Sequence, residues 1–111
     1  MKFLCLAYGS GADWKKLTPA EQNTLLAADQ RIRDRGAFIS AVEEQATTVT
    51  AWDGTPKTDA HPFAMSRVPL AGFSIIEAKD VDEVVRLVAD TPCARAGGAI
   101  EIRPLLDTSS H

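Results

Sequence analysis

Two helix signatures, each set between apolar, β-rich runs, leave this chain few possible folds. The first opens at "LTPAEQ". Thr18 suits the N-cap, Pro19 the first helical position and Glu21 the third, which together make a capping box. Leu17 before the cap supplies a staple residue. Leu25, Ala28 and Ile32 then recur at helical spacing with Leu26 widening the stripe, which turns Gln22, Asp29, Arg33 and Asp34 outward. Gly36 gives a left-handed stop. The second signature is "DVDEVVRLVADTP", in which Asp80 caps, Glu83 completes a capping box, and Val81, Val84, Val85 and Val88 form one apolar stripe. Its β-branched residues are poor helix formers, so packing on a sheet has to carry it. Thr91-Pro92 closes it, which puts Cys93 at a helix exit.

The runs around these helices read as strands: 2–8, 37–42, 70–78, and "AIEIRPL" after Gly97-Gly98. Between the second and third lies a hairpin. Thr47 to Trp52 is β-rich, Asp53-Gly54 is a two-residue turn signal, and Pro56 makes the returning arm an edge strand. The "GSG" after the first strand lacks P-loop spacing, and no helix is expected directly after it. The order is β-α-β, a hairpin, then β-α-β. This predicts an α+β, ferredoxin-like split β-α-β with an inserted hairpin, in which two helices cover one face of an antiparallel sheet. The opposite face still needs a cover. Pairing two chains face to face, as a homodimeric α+β barrel, is the economical solution for a domain too small to bury much surface alone.

The 111 residues fit one domain, expected over 1–106, with a flexible tail at 107–111. A net charge of −3 with scattered Lys and Arg argues against nucleic acid. No apolar run reaches the roughly 18 residues of a membrane span. The start, "MKFLCLAYGSGADW", is too short in its apolar run for a secretory leader. Reduced cysteines and a cytoplasmic location are therefore expected. Cys5 and Cys93 with one internal histidine do not make a zinc site, and neither a dinucleotide fingerprint nor GxSxG occurs. The reading is of a chain with no metal and no cofactor.

The chemistry-bearing residues gather in "PKTDAHPFAMSRVPLAGF", 56–73. His61 titrates near neutral pH and suits a general acid or base. Asp59, two positions before it, shares its face in an extended segment and would orient it. Arg67 suits an anionic or enolate oxygen. Ser66 or Tyr8 adds a hydroxyl, and Phe63, Trp52 and Phe73 offer apolar walls for a small aromatic or quinone-like molecule. More plainly, Asp59 caps a turn, His61 is a solvated loop residue, Pro62-Phe63 anchors the loop in the core, and Arg67 forms a surface ion pair.

The pieces "MKFLCLAYG", "LTPAEQ", "TTVTAWDG", "PFAMSRVPLAGFSIIEAKDVDEVV" and "TPCARAGGAIEIRPL" together resemble the YCII-related proteins, in the subgroup marked by a DGPF turn. The resemblance covers about residues 1–106 and implies the ferredoxin-like fold and the dimeric barrel. It also implies mixed roles: some members accompany sigma-factor-like regulators, and one relative removes chloride from a chlorinated hydroxyquinol. A His-Asp pair proposed for a distant branch takes its histidine from the first helix. Here 19–35 contain none, so that pair does not carry over. Pro62, Phe63 and Gly72-Phe73 keep the subgroup's spacing, but His61 stands where it has glycine and Ala60 where it has aspartate. Two functions follow as expectations. One is a small cofactor-independent enzyme doing acid/base chemistry of isomerase, lyase or cyclase type on a small aromatic or polyketide-like molecule. The other is a non-catalytic dimeric ligand-binding or regulatory module.

Overall fold

The computed structural model describes residues 1–106; the tail expected at 107–111 lies outside them. Strand β1 (Lys2–Tyr8) leads through a short helix α1 (Gly11–Lys15) into the long helix α2 (Pro19–Asp34) and then β2 (Phe38–Ala41). A small hairpin, β3 (Thr48–Thr50) and β4 (Lys57–Asp59), precedes β5 (Leu70–Glu77), α3 (Val81–Val88), α4 (Pro92–Arg95) and β6 (Ala99–Pro104). The main sheet runs β2-β5-β1-β6 with every neighbour antiparallel. That is the order a ferredoxin-like split β-α-β requires. The hairpin forms a separate two-stranded sheet.

The caps work largely as their residues dictate. Thr18 Oγ1 accepts from the Glu21 N–H and Glu21 returns the bond to the Thr18 N–H, closing the capping box. Asp80 Oδ1 accepts from the Glu83 N–H, but the Glu83 carboxylate reaches one residue further back, to the Lys79 N–H at 2.9 Å. Gly36 ends α2 at φ +88°, a backbone conformation that costs glycine little.

Two short helices depart from expectation. A helix does follow "GSG": Ser10 caps α1 by accepting from the Asp13 N–H. Thr91-Pro92 both stops the α3 region and starts α4, because proline at a first helical position lacks only an N–H that would have no helical partner. Cys93 is thus in the first turn of a four-residue helix, not at an exit.

Alternation along the strands sorts the two sheet faces. Phe3 and Cys5 on β1, Ile76 on β5 and Ile100 and Ile102 on β6 turn to the helices and pack with Ile32, Val84 and Val88. Among the described residues there is one helix layer, so only the centre of each apolar stripe is covered. Leu26, Val81 and Val85, expected in the stripes, stay exposed. On the opposite face the register aligns Phe38, Ile75 and Leu4 in one row and Phe73 and Leu6 in the next. The rings of Phe38 and Phe73 lie 5.7 Å apart. Arg103 and Glu101 pair with each other at 2.6 Å on β6.

The hairpin connection also differs from expectation. Six residues, 51–56, join β3 to β4. Within them the Gly54 N–H donates to the Ala51 carbonyl and the Thr55 N–H to Asp53 Oδ1. Pairing stops at Thr50–Lys57, in a register that centres on Asp53-Gly54. Among the described residues no helix is long and apolar enough to cross a membrane.

Candidate functional site

The five residues singled out from sequence all lie on the arm formed by 43–69 and are all exposed. Asp59 ends β4 opposite Thr48. The Thr48 hydroxyl donates to the His61 carbonyl, which ties down the backbone there and leaves the imidazole in solvent. Ser66 spends its hydroxyl on the Val68 carbonyl two residues on. Phe63 is 77% exposed and Trp52 90%, so neither anchors the arm in the core of the chain. Phe73 is elsewhere, in the sheet against Phe38. The structure brings Thr48, Asp59 and His61 into one neighbourhood, but none of the five residues lines the cleft described next or the hollow at the β2–β5 edge.

That cleft, of about 180 Å³, opens between the helix layer and the sheet. Cys5, Ala7, Ile39, Gly72 and Ile100 contribute the sheet side, and Ile32, Val88 and Pro92 the helix side. An engineered apolar cavity of about 150 Å³ holds one benzene ring, so this volume suits a single small ring. Its polar groups are Asp29 and Arg33 from α2, Ser40 and Ser74 from the sheet, and Thr91 and Cys93 from the α3–α4 junction.

Asp29 is the group that sequence placed wrongly. It follows Leu25 by one helical turn and precedes Ile32 by three residues, so it rides on the flank of the buried stripe and is carried over the cleft mouth. Partial burial pushes its carboxyl above the usual range, and the Arg33 guanidinium pulls the other way. Cys93 faces the same space. Burial raises its thiol, and the negative charge of Asp29 raises it further, so it stays a thiol rather than a thiolate. Cys5, at the cleft floor, is raised by burial and partly offset by a bond from Ser74. The Thr91 hydroxyl donates to the Val88 carbonyl at 2.6 Å and Ser40 to the Ala41 carbonyl, so both hydroxyl protons are used within the protein. An acid at the edge of an apolar helix stripe was the available signal in the sequence; it looked like an ordinary solvated position.

Fold and cleft together define a small α+β domain of ferredoxin-like strand order with a ring-sized cleft beneath its helices. The chain belongs to the YCII-related domain family, which it matches over residues 1–109. No curated protein matches it. Among solved structures it is similar to 5-chloro-2-hydroxyhydroquinone dehydrochlorinase (TftG) from Burkholderia phenoliruptrix AC1100, in a complex with 2,5-dihydroxybenzoquinone. The identity is 20% and the TM-score 0.49, over 99% of this chain and 98% of that chain.

Proposed function

We propose that this chain is a small cofactor-independent enzyme, in the DGPF-type subgroup of its family, that moves protons on one small aromatic or polyketide-like molecule. The supporting observation is the cleft of about 180 Å³: apolar sheet and helix walls around an ionisable pair, Asp29 and Cys93. Desolvated acids of this kind hold a proton closer to neutral pH than free carboxylates do, which suits isomerase, lyase or cyclase chemistry.

Homodimerisation belongs to the same proposal. The chain is a plate of 52 × 41 × 18 Å with a radius of gyration of 16.0 Å, against about 13 Å for a compact domain of this length. Among the described residues no helix covers one sheet face, which carries Phe38, Phe73, Ile75, Leu4 and Leu6. A second copy laid on that face forms the α+β barrel. His61 and Asp59, with Arg67, Ser66 and Phe63, join a site in this scheme only where a second chain covers their arm. Sedimentation of the wild type and of Phe73→Asp tests it: the wild type should run at twice the chain mass and the variant at the chain mass. A monomeric wild type removes the barrel.

The enzymatic reading is tested with cyclohexanone, a ring-sized ketone whose α-protons exchange slowly with neutral deuterated water. Amide shifts at 29, 39–41, 72–74 and 93 and faster exchange than in buffer are the expected result. Shifts without exchange point to the non-catalytic binding module instead. No shift at those positions with cyclohexanone, phenol or benzoate removes the cleft as a ligand site.

A further inference from the structure

The Asp29 carboxylate has no ion-pair partner within 4.0 Å and no hydrogen-bond donor among the described residues. The groups facing it are Arg33 on its own helix and Cys93 on α4, with Cys5 across the cleft on β1. The hydroxyls of Ser40 and Thr91 are committed to carbonyls, and Ser74 lies beside Cys5 on the neighbouring strand. What the cleft offers a guest is therefore apolar wall, a neutral thiol, the half-buried Asp29 carboxylate as an open acceptor, and the Arg33 guanidinium at its exposed edge. A partly desolvated carboxylate gains most from a guest that donates a hydrogen bond, because bonds to charged groups are the stronger ones. A guest carrying its own carboxylate meets like charge at low dielectric, where repulsion is poorly screened. The Arg33 guanidinium also lines the cleft, but from an exposed position beyond ion-pair distance of Asp29, so solvent screens it more than it screens the half-buried Asp29 carboxylate.

We infer that Asp29 sets the charge specificity of the cleft: the site takes an uncharged ring bearing a hydroxyl, whose proton points at the Asp29 carboxylate, and turns away ring carboxylates. This rests on the reading that the cleft is the ligand site. In that pose Asp29 is also the first acceptor for the hydroxyl proton. The O–H bond would break toward the carboxylate, leaving an enolate or phenolate oxygen on the guest and a carboxylic acid on Asp29.

Phenol and benzoate, matched in size and differing in charge, are the probes. Each is titrated into the full-length protein at pH 7 and followed by amide shifts at 39–41, 72–74 and 93. Wild type should bind phenol at least tenfold more tightly than benzoate. In Asp29→Asn, which keeps the side chain's shape, that ratio should fall to near one. Asp29→Ser serves as the second variant and should move the ratio the same way. A merely structural role for Asp29 would weaken both probes together and leave the ratio in place. Equal wild-type affinity for the two probes, or an unchanged ratio in both variants, overturns the inference. Neither probe shifting those amides instead removes the cleft itself as the ligand site.

Discussion

The helix-covered side of the sheet and the arm of 43–69 carry the same kinds of side chain and treat them oppositely. On the covered side Asp29 and Cys93 sit against Ile32, Val88 and the strands, and partial burial raises both. On the arm Asp59, His61 and Arg67 stand in water, held by backbone pairing and by hydroxyl bonds to carbonyls. An ionisable side chain becomes a specialised reagent through what surrounds it. His61 stands exposed on the arm, whereas an unremarkable aspartate on a helix flank is half enclosed by the cleft.

The contrast can be broken at its strongest point first. Phe3 is fully buried beneath the helices, so Phe3→Ala should cost about 3–5 kcal/mol in a denaturant melt, while Phe63→Ala on the arm should cost about 0.5 kcal/mol or less in the isolated chain. A comparable loss for Phe63→Ala that depends on protein concentration would mean that a second chain packs the arm. Next comes Gly98, where a methyl group would run into the Tyr8 carbonyl oxygen on the neighbouring strand. Gly98→Ala should cost about 1–3 kcal/mol through a forced backbone shift; an unchanged melting temperature would mean that β1 and β6 move apart freely.

A smaller effect concerns Asp29. Its native carboxyl is raised by burial, so the native state binds a proton more readily than the unfolded chain, and wild-type stability should fall as pH rises from about 4 through the raised native value. Asp29→Asn has no such titration. It should therefore melt roughly 1–3 °C above wild type at pH 7, with the advantage gone below about pH 4. A variant less stable than wild type at pH 7 would show that Asp29 is held by a favourable contact. The smallest effect is expected at His61: because its side chain is exposed, His61→Ala should shift stability by no more than about 0.5 kcal/mol. A larger loss that depends on protein concentration would mean that a second chain packs against the imidazole.

Much of the fold was legible because it rests on local signals. Thr18-Pro19 with Glu21, Asp80 ahead of a valine stripe, and Gly36 after α2 are bonds between residues a few positions apart, so the sequence displays them directly. The errors fell where a local signal competed with a neighbour. Asp53-Gly54 implied a tight two-residue turn; the register does centre on that pair, but strand pairing stops at Thr50–Lys57 and leaves a six-residue connection. Thr91-Pro92 stops one helix and starts another, and only the path of the chain distinguishes the two uses.

The site was less legible for a related reason. His61 and Asp59 attract notice because they are close in sequence and one is a rare residue type. The cleft instead gathers Cys5, Asp29, Ser74 and Cys93 from four separate elements. By itself the sequence determined two capped helices, four long strands with their alternation, and the strand-helix order that admits a ferredoxin-like sheet. Only the tertiary structure decided that Asp29 overlooks a ring-sized cleft and His61 does not. Helical periodicity places a residue on a flank to within one position, and whether that flank meets water or another layer depends on packing between distant segments.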